Sequence, residues 1–187
     1  MTRIISGFAG SRELKVPSKG TRPTSDRVRE AIFSALDSVD ALTDARVLDL
    51  FAGSGALGLE ALSRGASHVT LVERDAKAAQ IARSNAATVS SAGGGNAGTV
   101  DTVAMSVLTF LDRPRREVDV VFIDPPYDTP NSDVEAVLVA LTPHLSVGAI
   151  VIVERSARDA KLTVPPEYTL DRTKTYGETA ISYLSVS

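Results

Sequence analysis

Hydrophobic and polar positions change rhythm along this chain. RIISGFA and RELKV, about a Gly10–Ser11 turn, predict a β-hairpin over the first sixteen residues. A loop carrying Pro17, Gly20 and Pro23 follows. SDRVREAIFSALDSV then predicts a helix: Ser25 is a good N-cap, and Val28, Ile32, Ala35, Leu36 and Val39 fall on one face. From Arg46 the pattern becomes strand, turn, helix. RVLDLFA predicts a strand, LGLEALSRG a helix ended by Gly65, HVTLVE a strand and DAKAAQIARSNAATV a helix. SSAGGGNAG predicts a flexible loop and not a phosphate site, because it precedes a strand instead of opening a helix. TVDTVAM, VDVVFID and GAIVIVE predict three more strands, with a helix over SDVEAVLVALTPHL between the last two. Apolar strands separated by helices predict a parallel sheet covered on both faces. YTLDRTKTY and TAISYLSV, flanking Gly177–Glu178, predict a closing antiparallel hairpin that makes the sheet mixed.

Composition narrows the class. At 187 residues and 43% apolar, the chain suits one α/β domain with a small appendage. It has no cysteine, which excludes disulfide, Cys-zinc and iron–sulfur frameworks and fits a reducing cytoplasm. No apolar run approaches the ~20 residues that span a membrane. The net charge of −3 argues against indiscriminate nucleic-acid binding. Its distribution is uneven: residues 1–30 carry a net +4 and the remainder −7. A basic N-terminal face on an acidic body suits a polyanion, and a scattered solvated surface would look the same. The two histidines have no partner spacing for a metal or a Ser-His-Asp arrangement.

Two stretches carry the chemistry. VLDLFAGSGALGLEAL places Gly53, Gly55 and Gly58 in G-x-G-x-x-G spacing between a strand and a helix, and Glu73 closes the next strand twenty residues after Gly53. A close backbone approach followed by an acid that can accept from ribose hydroxyls predicts an adenosine-containing cofactor. Asp49 just before the loop would repel a pyrophosphate. It would attract an ammonium and a sulfonium, which favours S-adenosylmethionine over NAD. The second stretch is VDVVFIDPPY. Asp124 ends an apolar strand, Pro125 and Pro126 stiffen the turn after it, and Tyr127 offers a ring. Fixed acceptors beside a stacking aromatic complement an exocyclic amine on a flat base.

The glycine loop after VLDLFA together with DPPY resembles the amino-methyltransferases of the class I fold. The N-terminal hairpin, RPTSDRVREAIF and the terminal YGETAISYL resemble the RsmD family in particular, over nearly the whole chain. DPPY alone is shared by several amino-methyltransferases, whereas RPTSDRVREAIF is narrower. The resemblance implies a Rossmann-like class I methyltransferase: a mixed seven-stranded sheet with helices on both faces at residues 25–187, and an N-terminal hairpin and loop extension at residues 1–24. It implies S-adenosylmethionine as cofactor. As target it implies the exocyclic N2 of one guanine in 16S (small-subunit) ribosomal RNA, within a small subunit or assembly intermediate. It further implies a cytoplasmic monomer with no metal and no membrane contact.

By the same resemblance Asp49, Phe51, Gly53 and Gly55 meet the methionine side of the cofactor. Glu73 and Arg74 go to the ribose end, and Ser106 with Val107 to the adenine. At the adenine position relatives often carry Asp or Asn; a serine hydroxyl still accepts. Thr24 is expected to cap a loop over the cofactor. Asp124, Pro125, Pro126 and Tyr127 are the catalytic and base-binding set, Asp124 also touching the cofactor. Arg3, Arg12, Arg22 and Arg27 are expected to hold RNA phosphates, with Tyr127 at the base and Arg29 as a further candidate; Asp26, Arg27 and Glu30 at helical spacing would equally read as a surface ion-pair set. The rival readings are a DNA adenine-N6 or protein glutamine-N5 methyltransferase, and a non-catalytic RNA-binding or ribosome-assembly module. The first would usually bring a recognition domain for which this chain has no room, and the second more often has Asn before the prolines. The intact glycine loop and DPPY speak against the third.

Overall fold

The computed structural model describes residues 2–17 and 25–186. Seven strands form one sheet. In chain order β3 (Arg46–Leu50), β4 (His68–Glu73), β5 (Thr99–Ala104), β6 (Val118–Ile123) and β7 (Leu145–Ser156) run parallel, and β8 (Tyr168–Tyr176) and β9 (Thr179–Val186) complete it. The spatial order is β5-β4-β3-β6-β7-β9-β8. β9 is antiparallel to both neighbours, so the predicted hairpin turns at Gly177 and the sheet is mixed.

Helices α1 (Asp26–Asp37), α2 (Ala56–Ser63) and α3 (Ala76–Gly93) share a core cluster with Val47, Val120, Phe122, Ile152, Ile181 and Tyr183 on one face of the sheet. Helices α4 (Val107–Leu111) and α5 (Asn131–Leu141) cover the other face through Leu48, Val121, Ile123, Val151 and Val153. Strands buried on both faces need apolar residues throughout, and β6 meets that need with VDVVFI at the centre of the sheet.

The N-terminal hairpin is present, with short strands β1 (Thr2–Arg3) and β2 (Glu13–Leu14) paired Thr2 to Leu14. Its loop is wider than a Gly10–Ser11 turn: the left-handed residues are Gly7 and Ser11. Glu60 of α2, fully buried, accepts from the backbone N–H of Ile5 at 2.6 Å and Ser6 at 3.0 Å. Ser63 accepts from the Ala9 N–H and donates to the Ser6 carbonyl, and Asn85 bonds the Lys15 backbone in both directions. Ile4, Ala9 and Leu14 join the core under α1 and α2.

Ser25 caps α1 by accepting from the Val28 N–H, a contact of the kind that contributes ~1 kcal/mol. The buried face of α1 is Val28, Arg29, Ile32, Phe33 and Leu36; Val39 lies past the helix end and is exposed. Phe33 packs its ring 5.6 Å from Phe122 and lies under the Arg64 guanidinium. One expectation is corrected. SSAGGG is not a loop throughout, because α3 continues through Ser90, Ser91, Ala92 and Gly93, with the Ser91 hydroxyl donating to the Ala87 carbonyl. In the segment after β5, for which the sequence predicts no element, α4 forms, capped by Ser106.

Candidate active site

Three acids converge on the carboxyl rim of the sheet. Asp49 sits in β3 with its side chain 1% exposed, and its Oδ2 accepts the Gly58 N–H at 2.9 Å. Glu73 closes β4 and accepts the Gly53 N–H at 2.9 Å through Oε2 and the Asp75 N–H at 2.8 Å through Oε1. Asp124 follows β6, which pairs directly with β3. Burial raises the Asp49 carboxyl to about 8; the Gly58 N–H opposes this, and the Asp124 and Glu73 charges add to it. The glycine loop is thus laced to both flanking strands by carboxylates.

Local backbone explains the loop's residues. Gly55, the residue before α2, has φ +82°, and a Cβ there would stand 2.9 Å from Leu71 Cδ1. At Gly58 a Cβ would meet Leu71 and Val69 side chains at 2.5 and 2.9 Å, so only glycine lets α2 lie this close to β4. Phe51 holds a left-handed φ of +71°, a strain that non-glycine residues retain only where the surroundings enforce it. The Ala52 N–H to Val72 carbonyl bond, at 2.9 Å, is one such constraint.

After β6, Pro125 is buried, Pro126 is exposed and Tyr127 is 50% exposed, following half-buried Asp124. The Thr129 N–H donates to the Pro126 carbonyl at 2.9 Å, closing a turn after the proline pair. Two contacts that the sequence did not suggest hold this turn from behind. Arg155, at the end of β7, donates through Nη2 to the Thr129 carbonyl at 2.7 Å and pairs with Asp159 at 2.9 Å. Asn131 donates to the Ala160 carbonyl at 2.8 Å. Glu154, 5% exposed, follows Val153, whose β6 partner is Ile123, so it stands alongside Asp124. Hydrophobic periodicity marks all three only as strand or helix ends.

The remaining assignments divide. Arg74 is exposed next to Glu73, and Val107 is buried at the start of α4. The Ser106 hydroxyl caps α4, accepting the Thr109 N–H at 3.3 Å and sharing a 2.7 Å bond with the Thr109 hydroxyl. Arg3, Arg12 and Arg27 are exposed, with Arg3 4.0 Å from Asp26. Arg29 is not available to a phosphate: it is 1% exposed and donates to the Arg3 carbonyl at 2.7 Å and to Asp26 at 2.8 Å. Thr24 and Arg22 lie outside the described residues. His144 is buried against the Leu111 carbonyl and the Arg116 N–H, tying the end of α4 to the segment before β6, and half-buried His68 of β4 bonds Thr99 of β5 and Thr70. Among the described residues no cluster of three or more His, Cys, Asp and Glu is placed to hold a metal ion. Among them, too, no helix is long and apolar enough to cross a membrane.

A glycine loop tied to acids on adjoining strands, a D-P-P-aromatic turn on the same rim and a β9 inserted antiparallel beside β7 define the class I methyltransferase architecture. The family model described as conserved hypothetical protein 95 matches residues 2–185. Ribosomal RNA small subunit methyltransferase D of Escherichia coli strain K12 is 42% identical over 179 residues, covering 95% of this chain and 86% of that one. The protein of the same name from Haemophilus influenzae is 36% identical over 178 residues, 94% of this chain and 89% of its own. The solved structure of yhhF from Escherichia coli superposes with a TM-score of 0.83 at 36% identity, covering 100% of this chain and 98% of that one. The chain belongs to the RsmD family.

Proposed function

We propose that this chain transfers a methyl group from S-adenosylmethionine to the exocyclic N2 amine of a guanine in 16S ribosomal RNA. One observation carries the reading: Asp124, which leads into the proline pair and half-exposed Tyr127, follows the strand beside Asp49, and its charge and that of Glu73 both act on the Asp49 carboxyl. The donor set fits the cofactor. A buried carboxylate whose ionisation is opposed by burial and by two neighbouring acids is relieved by a cation, and the cofactor brings an ammonium and a sulfonium. Each Glu73 oxygen, already accepting one N–H, keeps a lone pair for a ribose hydroxyl. When bound, the cofactor supplies an electrophilic methyl group.

The chain's own residues do the rest. A flipped guanine costs a few kcal/mol of unstacking. Tyr127 stacking can return ~1–3 kcal/mol of this. Asp124 and a carbonyl of the proline turn accept from the two N2 hydrogens, turn the lone pair out of conjugation with the ring and hold it in line with the methyl carbon. Positioning then provides most of the acceleration. The amine gains the methyl group and loses one proton, which leaves after transfer, so no strong base is needed. Residues 1–24 act as an RNA-facing extension of the catalytic body at 25–187, and Arg3, Arg12 and Arg27 contribute phosphate contacts. With ribosomal RNA as substrate, the setting is the cytoplasm and the target is RNA in a small subunit or assembly intermediate.

The test is labelled methyl transfer to unmodified small subunits, their naked RNA, transfer RNA and duplex DNA, followed by nucleoside analysis. The expected product is N2-methylguanosine in the ribosomal substrate alone. N6-methyladenosine, or methylated DNA, would replace this reading with another amino-methyltransferase. Asp124→Ala is expected to abolish transfer while cofactor binding persists.

A further inference from the structure

The C-terminal hairpin carries charge that the active site does not use. β8 is the edge strand of the sheet, and Thr169 through Thr175 on it are all exposed. Its register with β9 sorts its side chains. Arg172 pairs with Tyr183 and Lys174 with Ile181, whereas Leu170 pairs with Leu184. Tyr183 and Ile181 belong to the core beneath α1, and Leu184 belongs to the core on the opposite face. The irregularity between Leu170 and Arg172 is where the strand changes sides. Arg172, Lys174 and Tyr176 therefore point to the face that carries α1 and exposed Arg27.

The other side of the strand holds no cation. Thr173 shares a hydroxyl bond with Ser182 at 3.0 Å, and Asp171, in the bulge, accepts from Ser185. Arg172 lies over the Tyr183 ring at 4.3 Å, which fixes the guanidinium plane and leaves its N–H edge outward. Neither Arg172 nor Lys174 has an acidic partner among the described residues, although the chain is acidic overall. β8 also points the right way. It runs parallel to β7, and Tyr176 pairs with Thr179, which pairs with Ser156 at the end of β7 on the rim that holds Asp124. Alternate residues on a strand are ~7 Å apart, about one nucleotide step of extended backbone.

We infer that Arg172 and Lys174 form a phosphate track along the sheet edge, which guides the RNA strand carrying the target base up to the rim, where Tyr176 meets it. This rests on the reading of RNA as substrate. The track answers how a chain of net charge −3 holds a polyanion: cations without acidic partners are aligned on one side of one strand, on the sheet face that carries α1.

The experiment measures methyl transfer to small subunits and to their naked RNA across a potassium chloride series. It uses the full chain, Lys174→Ala, the Arg172→Ala/Lys174→Ala pair, and Lys77→Ala on α3 as an off-track control. The paired variant is expected to raise KM for RNA severalfold, with the cofactor dissociation constant unaltered. The slope of log(kcat/KM) against log salt should become shallower by about 0.7–0.9 for each phosphate that the variant no longer neutralises. Lys174→Ala leaves the Tyr183 stack intact, so its share of the change separates charge from folding. Lys77→Ala should keep the wild-type slope. An unaltered slope and KM in the paired variant would overturn the track, as would a loss confined to kcat. If the wild-type chain methylates no ribosomal substrate, the function reading fails. The same variants are then compared by filter binding to that RNA, where a shallower slope supports the track and an unaltered one overturns it.

Discussion

Asp49, proposed to meet the cofactor, is held in the fold at a cost. Its folded pKa of about 8 lies above the 3.8 of a free carboxyl, so the folded state holds a proton that the unfolded chain has released. The favourable contribution is full below about pH 4 and is lost as pH rises through 8. Asp49→Asn keeps an acceptor for the Gly58 N–H and removes the titration. Its apo form is expected to gain stability over the wild type at pH 8–9 and to gain little at pH 4. Even ~1 kcal/mol would raise Tm by about 2–4 °C at this size. Calorimetry at the two pH values checks it, and an equal shift at both would remove Asp49 from the explanation. Because ionised Asp49 suits a cationic ligand, wild-type cofactor affinity should increase with pH up to about 8, and that of the variant should stay flat.

Among the elements, the tightest fit is α2 against β4. Gly58→Ala would set a methyl group 2.5 Å from Leu71 and 3.2 Å from the Asp49 Cβ, so the helix must back away from the strand. Overpacking of this kind costs about 1–3 kcal/mol. Urea unfolding should show a lower midpoint at unaltered m. Cofactor binding should weaken in parallel, because the same shift loosens the Gly58 to Asp49 bond. The sequence made much of this legible. Strong period-2 and apolar runs located every strand of the main sheet, and the glycine spacing with Glu73 located the rim. The features it hid were hidden for physical reasons. The five residues of α4 are too few to show a helical period. Serine at the end of α3 resembles loop chemistry until its hydroxyl is seen bonding back to the helix. Arg29 looks like a surface cation in the sequence because charge patterns do not reveal the Arg3 carbonyl that accepts from it. Arg155 and Glu60 act on segments 26 and about 55 residues away, a separation to which no local pattern is sensitive.

For the molecule as a whole, strand order sets a schedule. β9 is made after β8 yet lies between β7 and β8, so β8 has no partner until β9 emerges. A chain halted after Tyr176 would present β7, with its apolar run from Ile150 to Val153, as a bare sheet edge. Ribosome-tethered chains ending there should be protease-sensitive and self-associating, and chains extended through Val186 with a linker to clear the tunnel should be resistant. Equal resistance in both would refute the schedule. The rim on which Asp124 stands is flanked by β7, so the proposed catalytic surface is completed only after β9 has been made. An enzyme whose proposed target is ribosomal RNA is thereby kept idle until that strand has left the ribosome that makes it.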